Sequence, residues 1–76
     1  MNKVENIRKL YPEGTVLEMV EMVNDPRPIE KGTRGTVRYV DDMGTIHMAW
    51  QNGRTLGICP EVDKFKIVTE EVMQDE

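Results

Sequence analysis

The chain has 76 residues, enough for one domain with a small core. A chain this short buries only about 60% of the surface its unfolded form exposes, which argues against a deep, water-excluding catalytic cleft. The net charge of -4 weighs against a dedicated duplex-DNA binder, whose affinity comes from neutralising phosphates. The acidity is uneven: Glu70, Glu71, Asp75 and Glu76 fall in the last eight residues, and without them ten acids face ten Lys and Arg. The single cysteine, Cys59, excludes an intramolecular disulfide. No apolar run approaches the ~20 residues that span a bilayer. No charged-then-apolar leader opens the chain either, so a cytoplasmic location is expected.

Asn2 to Tyr11 is the helix candidate, with Val4, Ile7, Leu10 and Tyr11 spaced for one face and Pro12 and Gly14 ending it. Thr15 to Val23 is rich in strand formers but alternates imperfectly. Leu17 and Met19 make one face, and Val16, Val20 and Met22 the other, with Glu18 interrupting; a bulge would account for this. Asn24 to Lys31 carries Pro26 and Pro28, which withhold two ladder donors and fix two φ angles, so it reads as a long ordered loop.

Thr36 to Val40 is a second strand, with Val37 and Tyr39 on one face and Arg38 on the other. Asp41-Asp42-Met43-Gly44 is turn chemistry. Thr45 to Trp50 is a third strand and Arg54 to Ile58 a fourth. The Asn52-Gly53 pair between them predicts a type I′ turn with positive φ at both positions. Pro60 to Asp63 reads as one helical turn, and Lys64 to Val68 as a fifth strand.

This order predicts an all-β fold, a five-stranded SH3-like barrel with a short N-terminal helix and an acidic C-terminal tail. The segments are 1–13 for the helical part, 14–68 for the barrel and 69–76 for the tail. The expected interior is Leu17, Met19, Val37, Ile46, Met48, Trp50, Leu56, Phe65 and Ile67. Six methionines, adaptable fillers, imply a loosely specified core. The tail, without apolar partners for its like charges, is expected to be disordered.

The runs Gly32-Thr33-Arg34-Gly35-Thr36-Val37, Asp41-Asp42-Met43-Gly44-Thr45-Ile46-His47 and Trp50-Gln51-Asn52-Gly53-Arg54 resemble a family of small bacterial proteins known only as domain of unknown function 4314. The resemblance runs from about Ile7 to Val68. Gln51 stands where the family usually has Asp, which removes a carboxylate and leaves the turn. The resemblance implies occurrence in Firmicutes, often on phages and other mobile elements, with no activity established. More distantly, the G-x-x-G-x-V and W-x-N-G spacing looks like SH3-like modules that bind peptides or nucleic acids.

Arg27, Lys31, Arg34 and Arg38, in and after the Pro-containing loop, are the candidate ligand-binding cations, with Tyr39 beside them as a stacking surface. Against this, exposed charges paired with Asp25, Glu30 and Asp41 need no ligand. Trp50 lies in register with Ile46 and Met48 and belongs to the core. His47 alternates outward as a surface histidine, and Cys59 reads as a small packed residue. One His and one Cys show no metal-ligand spacing, and no P-loop is present, so neither metal nor cofactor is expected. No catalytic constellation stands out, so an enzyme is not expected.

The expected function is a non-enzymatic binding module that recognises a protein segment or a nucleic acid, an accessory of a bacterial mobile element with no membrane association. The alternative is a phage-encoded anti-defence protein that inhibits a host nuclease or sequesters a signalling nucleotide.

Overall fold

The computed structural model describes residues 2–69. They form a mostly β fold with one short helix and a four-stranded antiparallel sheet. Helix α1 spans Lys3–Leu10, and strands β1 to β4 span Val16–Glu21, Arg34–Val40, Ile46–Trp50 and Lys64–Ile67. The strand order is β3-β2-β1-β4. The tail expected at 69–76 lies, apart from Thr69, outside the described residues.

Asn2 caps α1: its side-chain oxygen accepts from the Val4 and Glu5 backbone N–H groups, at 2.8 and 3.4 Å. Eight residues cannot hold a helix in water unaided. Docking supplies the rest. Val4 and Ile7 pack over Gly44, and Tyr11 meets Phe65 edge-to-face with ring centroids 5.4 Å apart. Arg8 Nε donates to the Val40 carbonyl at 3.2 Å, tying the helix to the end of β2.

The core consists of Leu17, Met19, Ile29, Val37, Val40, Ile46, Met48, Trp50 and Ile58. Six of these were legible from alternation. Leu56 and Phe65 only pack partly against the core, and Ile67 is 47% exposed because β4 is the edge strand and Ile67 its last residue. Three core members come from places that alternation does not reach. Ile29 is buried from within the Pro-containing loop, Ile58 from a single bridge, and Val40 from beyond a bulge.

That bulge corrects the expected faces of β2. Val37 pairs with Met48 and Tyr39 with His47, so Arg38 is an extra residue with no partner on β3. The phase of the strand shifts by one. Tyr39 turns outward with Arg38, and Val40 takes the inward place. A second irregularity, between Met19 and Glu21 where β1 meets β4, accounts for the imperfect alternation of β1.

Two further corrections concern the segment after β3. Arg54 to Ile58 is not a strand. Only Ile58 bridges to Ile46, with reciprocal N–H···O bonds of 2.8 and 2.9 Å. Its neighbour Leu56 gives its carbonyl to the Trp50 indole N–H at 2.7 Å, which takes that oxygen off any ladder. The Asn52-Gly53 turn is also of a different kind. Gly53 has φ +86°, but among the described non-glycine residues only Asn24 has positive φ. Gly53 N–H donates to the Trp50 carbonyl and Trp50 N–H to the Arg54 carbonyl, both at 2.9 Å. This is the three-residue hairpin in which a left-handed glycine follows an ordinary turn.

Candidate nucleic-acid or peptide interface

The outward face of the sheet carries the residues that sequence reasoning singled out, but it divides them between two ends. Arg34 and Arg38 stand four residues apart on β2, about 13 Å at the usual strand rise. Arg27 and Lys31 belong to the loop that leads into the Arg34 end, and both are exposed. Arg38 and Tyr39 form the other end, next to the C-terminal turn of α1. The four cations therefore do not gather on one rim.

At the Arg34 end the charge on the sheet itself is answered, whereas the Arg27 and Lys31 side chains make no ion pair with any described residue. Arg34 Nε donates to Glu18 Oε1 at 3.1 Å, and Lys66 Nζ lies 3.8 Å from Glu18 Oε2. Register explains this: Glu18 pairs with Arg34 on one side and Lys66 on the other, so three outward side chains form one row across the sheet. Glu18, which interrupts the apolar pattern in the sequence, is the centre of that row. The loop is held by Ile29 in the core, by Gly32 N–H donating to the Met19 carbonyl at 2.8 Å, and by an Asp25 side chain that accepts from the Arg27 N–H at 2.8 Å. Arg54, which sequence reasoning did not single out, reaches the same loop, its Nη1 donating to the Pro28 carbonyl at 3.4 Å. On the sheet face here lies an open depression of about 390 Å³ between Arg34, Thr36, Ala49 and Gln51.

The Tyr39 end is built differently. Tyr39 is 56% exposed, yet its ring is stacked on the His47 imidazole, with centroids 4.4 Å apart and planes within 7°. The two residues are direct partners in the β2–β3 ladder, which is what brings the rings together. His47 Nε2 lies 2.8 Å from Asp41 Oδ2. Asp41 in turn is fixed by its own turn: Oδ1 accepts from the N–H groups of Met43 and Thr45, at 2.9 and 3.0 Å. The hydrogen bond from His47, followed by that from Thr45, holds the Asp41 carboxyl below its ordinary value. His47 points outward and Asp41 sits in a turn, as expected, and the hairpin joins the two in a contact that no local pattern records.

Beside Tyr39, and not lined by His47, is a depression of about 240 Å³ among Arg8, Tyr11, Pro12, Glu13, Arg38 and Tyr39. Arg8 is held in place by the Val40 carbonyl and by Asp42 Oδ1, the latter 3.0 Å from Nη2. Arg38 makes no side-chain hydrogen bond or ion pair with any described residue.

The remaining candidates resolve simply. Trp50 is 4% exposed and belongs to the core. Cys59 is exposed, contrary to its reading as a packed residue. Its backbone explains why: Cys59 N–H donates to Asp63 Oδ2 at 2.9 Å and its carbonyl accepts from Val62 and Asp63, so the tight turn leaves the thiol at the surface. Asp63 is the buried member of that turn and also accepts from the Val23 N–H at 3.2 Å. Among the described residues no three His, Cys, Asp or Glu are placed to hold a metal ion, and no helix is long and apolar enough to cross a membrane.

The family described as Domain of unknown function (DUF4314) matches residues 1–68, and the chain belongs to it. No curated protein and no solved structure matches the chain.

Proposed function

We propose that this DUF4314 member is a non-enzymatic binding module that recognises a nucleic acid or a protein segment through the outward face of β2 and β3. Arg38 and Tyr39 are the centre of contact, with Arg27, Lys31 and Arg34 as flanking cations. The observation that carries this reading is Tyr39 itself. A large ring kept outside the core by a bulge, braced by a stacked imidazole and set next to a cation that has no partner among the described residues, offers an exposed aromatic surface beside an open charge. An SH3-like relationship is part of the proposal. It is supported by the long loop between β1 and β2, the β2–β3 hairpin, the single turn before β4, and the Ile46–Ile58 bridge that brings the intervening segment beside β3. The setting we propose is the cytoplasm of a bacterium, as an accessory protein of a mobile element. A second reading, a phage anti-defence protein that sequesters a signalling nucleotide, draws support from the modest size of the depression beside Tyr39.

The test is affinity purification from the native host, with protein, nucleic acid and small molecules all analysed, using the wild type and an Arg38→Ala, Tyr39→Ala double variant. The expected result is a partner captured by the wild type and lost with the double variant. A partner retained by a folded double variant would place the contact surface elsewhere.

A further inference from the structure

We infer that the depression beside Tyr39 is a nucleotide subsite, with one planar base against the Tyr39 ring and its phosphate against the Arg38 guanidinium. This rests on the binding-module reading above and names the ligand class.

The first support is the state of the Tyr39 ring. One face is covered by His47, which does not line the depression, while Tyr39 does. The backing ring is itself anchored to Asp41, and Asp41 to two backbone N–H groups. A base that stacks here meets a ring already held, so little side-chain freedom is lost on binding.

The second support is the pair of guanidiniums. Arg8 is fixed by the Val40 carbonyl and by ion pairs with Asp42 and Glu5, so it gives the depression a stationary wall whose charge is already answered and leaves Arg38 to meet the phosphate. Arg38, the extra residue of the bulge, has no ion-pair partner among the described residues. A planar fork of N–H donors next to an aromatic ring matches a phosphate joined through a ribose to a planar base.

The third is shape and polarity. About 240 Å³, with Tyr11 and Pro12 as apolar lining, admits a single ring system and is below the size of a typical drug-sized pocket. Glu13, also in the lining, offers an acceptor to an exocyclic amine or ring N–H. An acidic peptide would satisfy Arg38 but leave the ring bare. The nucleotide uses all three features.

The experiment titrates the full chain with a nucleoside 5′-monophosphate, a short single-stranded oligonucleotide, the unphosphorylated nucleoside and inorganic phosphate. Amide NMR shifts locate the contact, and Trp50 fluorescence reports that each variant is folded. The expected result is that the monophosphate and the oligonucleotide perturb the amides of Tyr11, Glu13, Arg38 and Tyr39. The nucleoside and phosphate alone should bind at least roughly tenfold more weakly, in keeping with the usual worth of base stacking and charge-assisted bonds. Tyr39→Ala should weaken nucleotide binding by a similar factor and Tyr39→Phe restore it, since stacking needs the ring and not the hydroxyl. Arg38→Ala should abolish the preference for the monophosphate over the nucleoside. Affinity that rises with oligonucleotide length assigns the site to a single strand, and equal affinity to a free nucleotide. Inorganic phosphate binding as tightly as the monophosphate, or nucleotide binding indifferent to Tyr39→Ala, would overturn the inference. So would failure of every nucleotide probe while a host protein is captured through Arg38 and Tyr39. That last outcome would leave the binding-module reading standing.

Discussion

Gly35 on β2 lies directly against the indole of Trp50, its ladder partner on β3. A Cβ at Gly35 would stand 2.6 Å from Trp50 Cε3, 2.9 Å from Cδ2 and 3.0 Å from the Ala49 carbonyl oxygen. The glycine is needed here for space, so that the largest core side chain can lie flat on the neighbouring strand.

Gly35→Ala should therefore destabilise the fold by about 2 kcal/mol or more, the range expected when a packed core is forced to accept an extra carbon. Chemical denaturation followed by Trp50 fluorescence measures it directly, since Trp50 is the only tryptophan. Wild-type stability would mean that the indole has room to shift.

At Gly53 the constraint is conformational. Its φ is +86° and no atom lies within 4 Å of a Cβ built there, so substitution meets backbone strain and not a clash. Gly53→Val should cost about 1 kcal/mol or more. Asn52, without positive φ, should tolerate Ala at about 1 kcal/mol or less, the worth of the bond its side chain accepts from Arg54 N–H at 3.0 Å. Equal losses at both positions in thermal unfolding would contradict the turn described here.

The Asp41 carboxyl, held low by His47 and by the Thr45 and Met43 N–H groups, gives a pH prediction. A carboxylate whose folded pKa lies below its unfolded value of about 3.9 adds stability above that value and loses it as pH falls through the folded pKa. Stability should thus decline on acidification below about pH 4, and part of that decline should vanish in Asp41→Asn. Carboxyl NMR titration should find Asp41 below its ordinary value; an ordinary or raised value would refute the assignment.

Asp63 accepts from Val23 N–H and Cys59 N–H, joining the end of the first strand region to the turn before β4. Asp63→Ala leaves both donors without their acceptor in a part-buried place, at a cost of about 1–3 kcal/mol. Asp63→Asn, which keeps one oxygen, should fall between wild type and Ala. Thermal unfolding decides, and an unchanged midpoint for Ala would show that solvent replaces the carboxylate freely.

What the sequence made legible, and what it hid, follows from the range of each interaction. The β2–β3 hairpin was readable because alternation from Ile46 to Trp50 is unbroken, and α1 because its apolar spacing and its breakers are local. The bulge was not, since Arg38, Tyr39 and Val40 suit a strand in either phase and only pairing with β3 selects one. Arg54 to Ile58 has the composition of a strand, but the Trp50 indole claims the Leu56 carbonyl through a contact no local pattern records. Asn-Gly fits two kinds of hairpin turn, and they differ by whether Gln51 counts as loop or strand. In the candidate site Arg38 and Tyr39 were visible as residue types. The support of Tyr39 by His47 and Asp41 depends on register, and the separation of Arg38 from Arg34 depends on strand length.

The burial of Ile29 changes what the loop between β1 and β2 can be. Twelve residues, 22–33, with two prolines and no regular structure look like a natural cleavage site, yet the segment is pinned beneath the sheet by one side chain. Arg27 and Lys31 flank that pin two residues to either side, so neither can sweep far over the surface. Such a segment acts as a ruler. It holds the backbone at its two charged residues at a set spacing, and under the binding role proposed above a ligand would meet those two positions already placed.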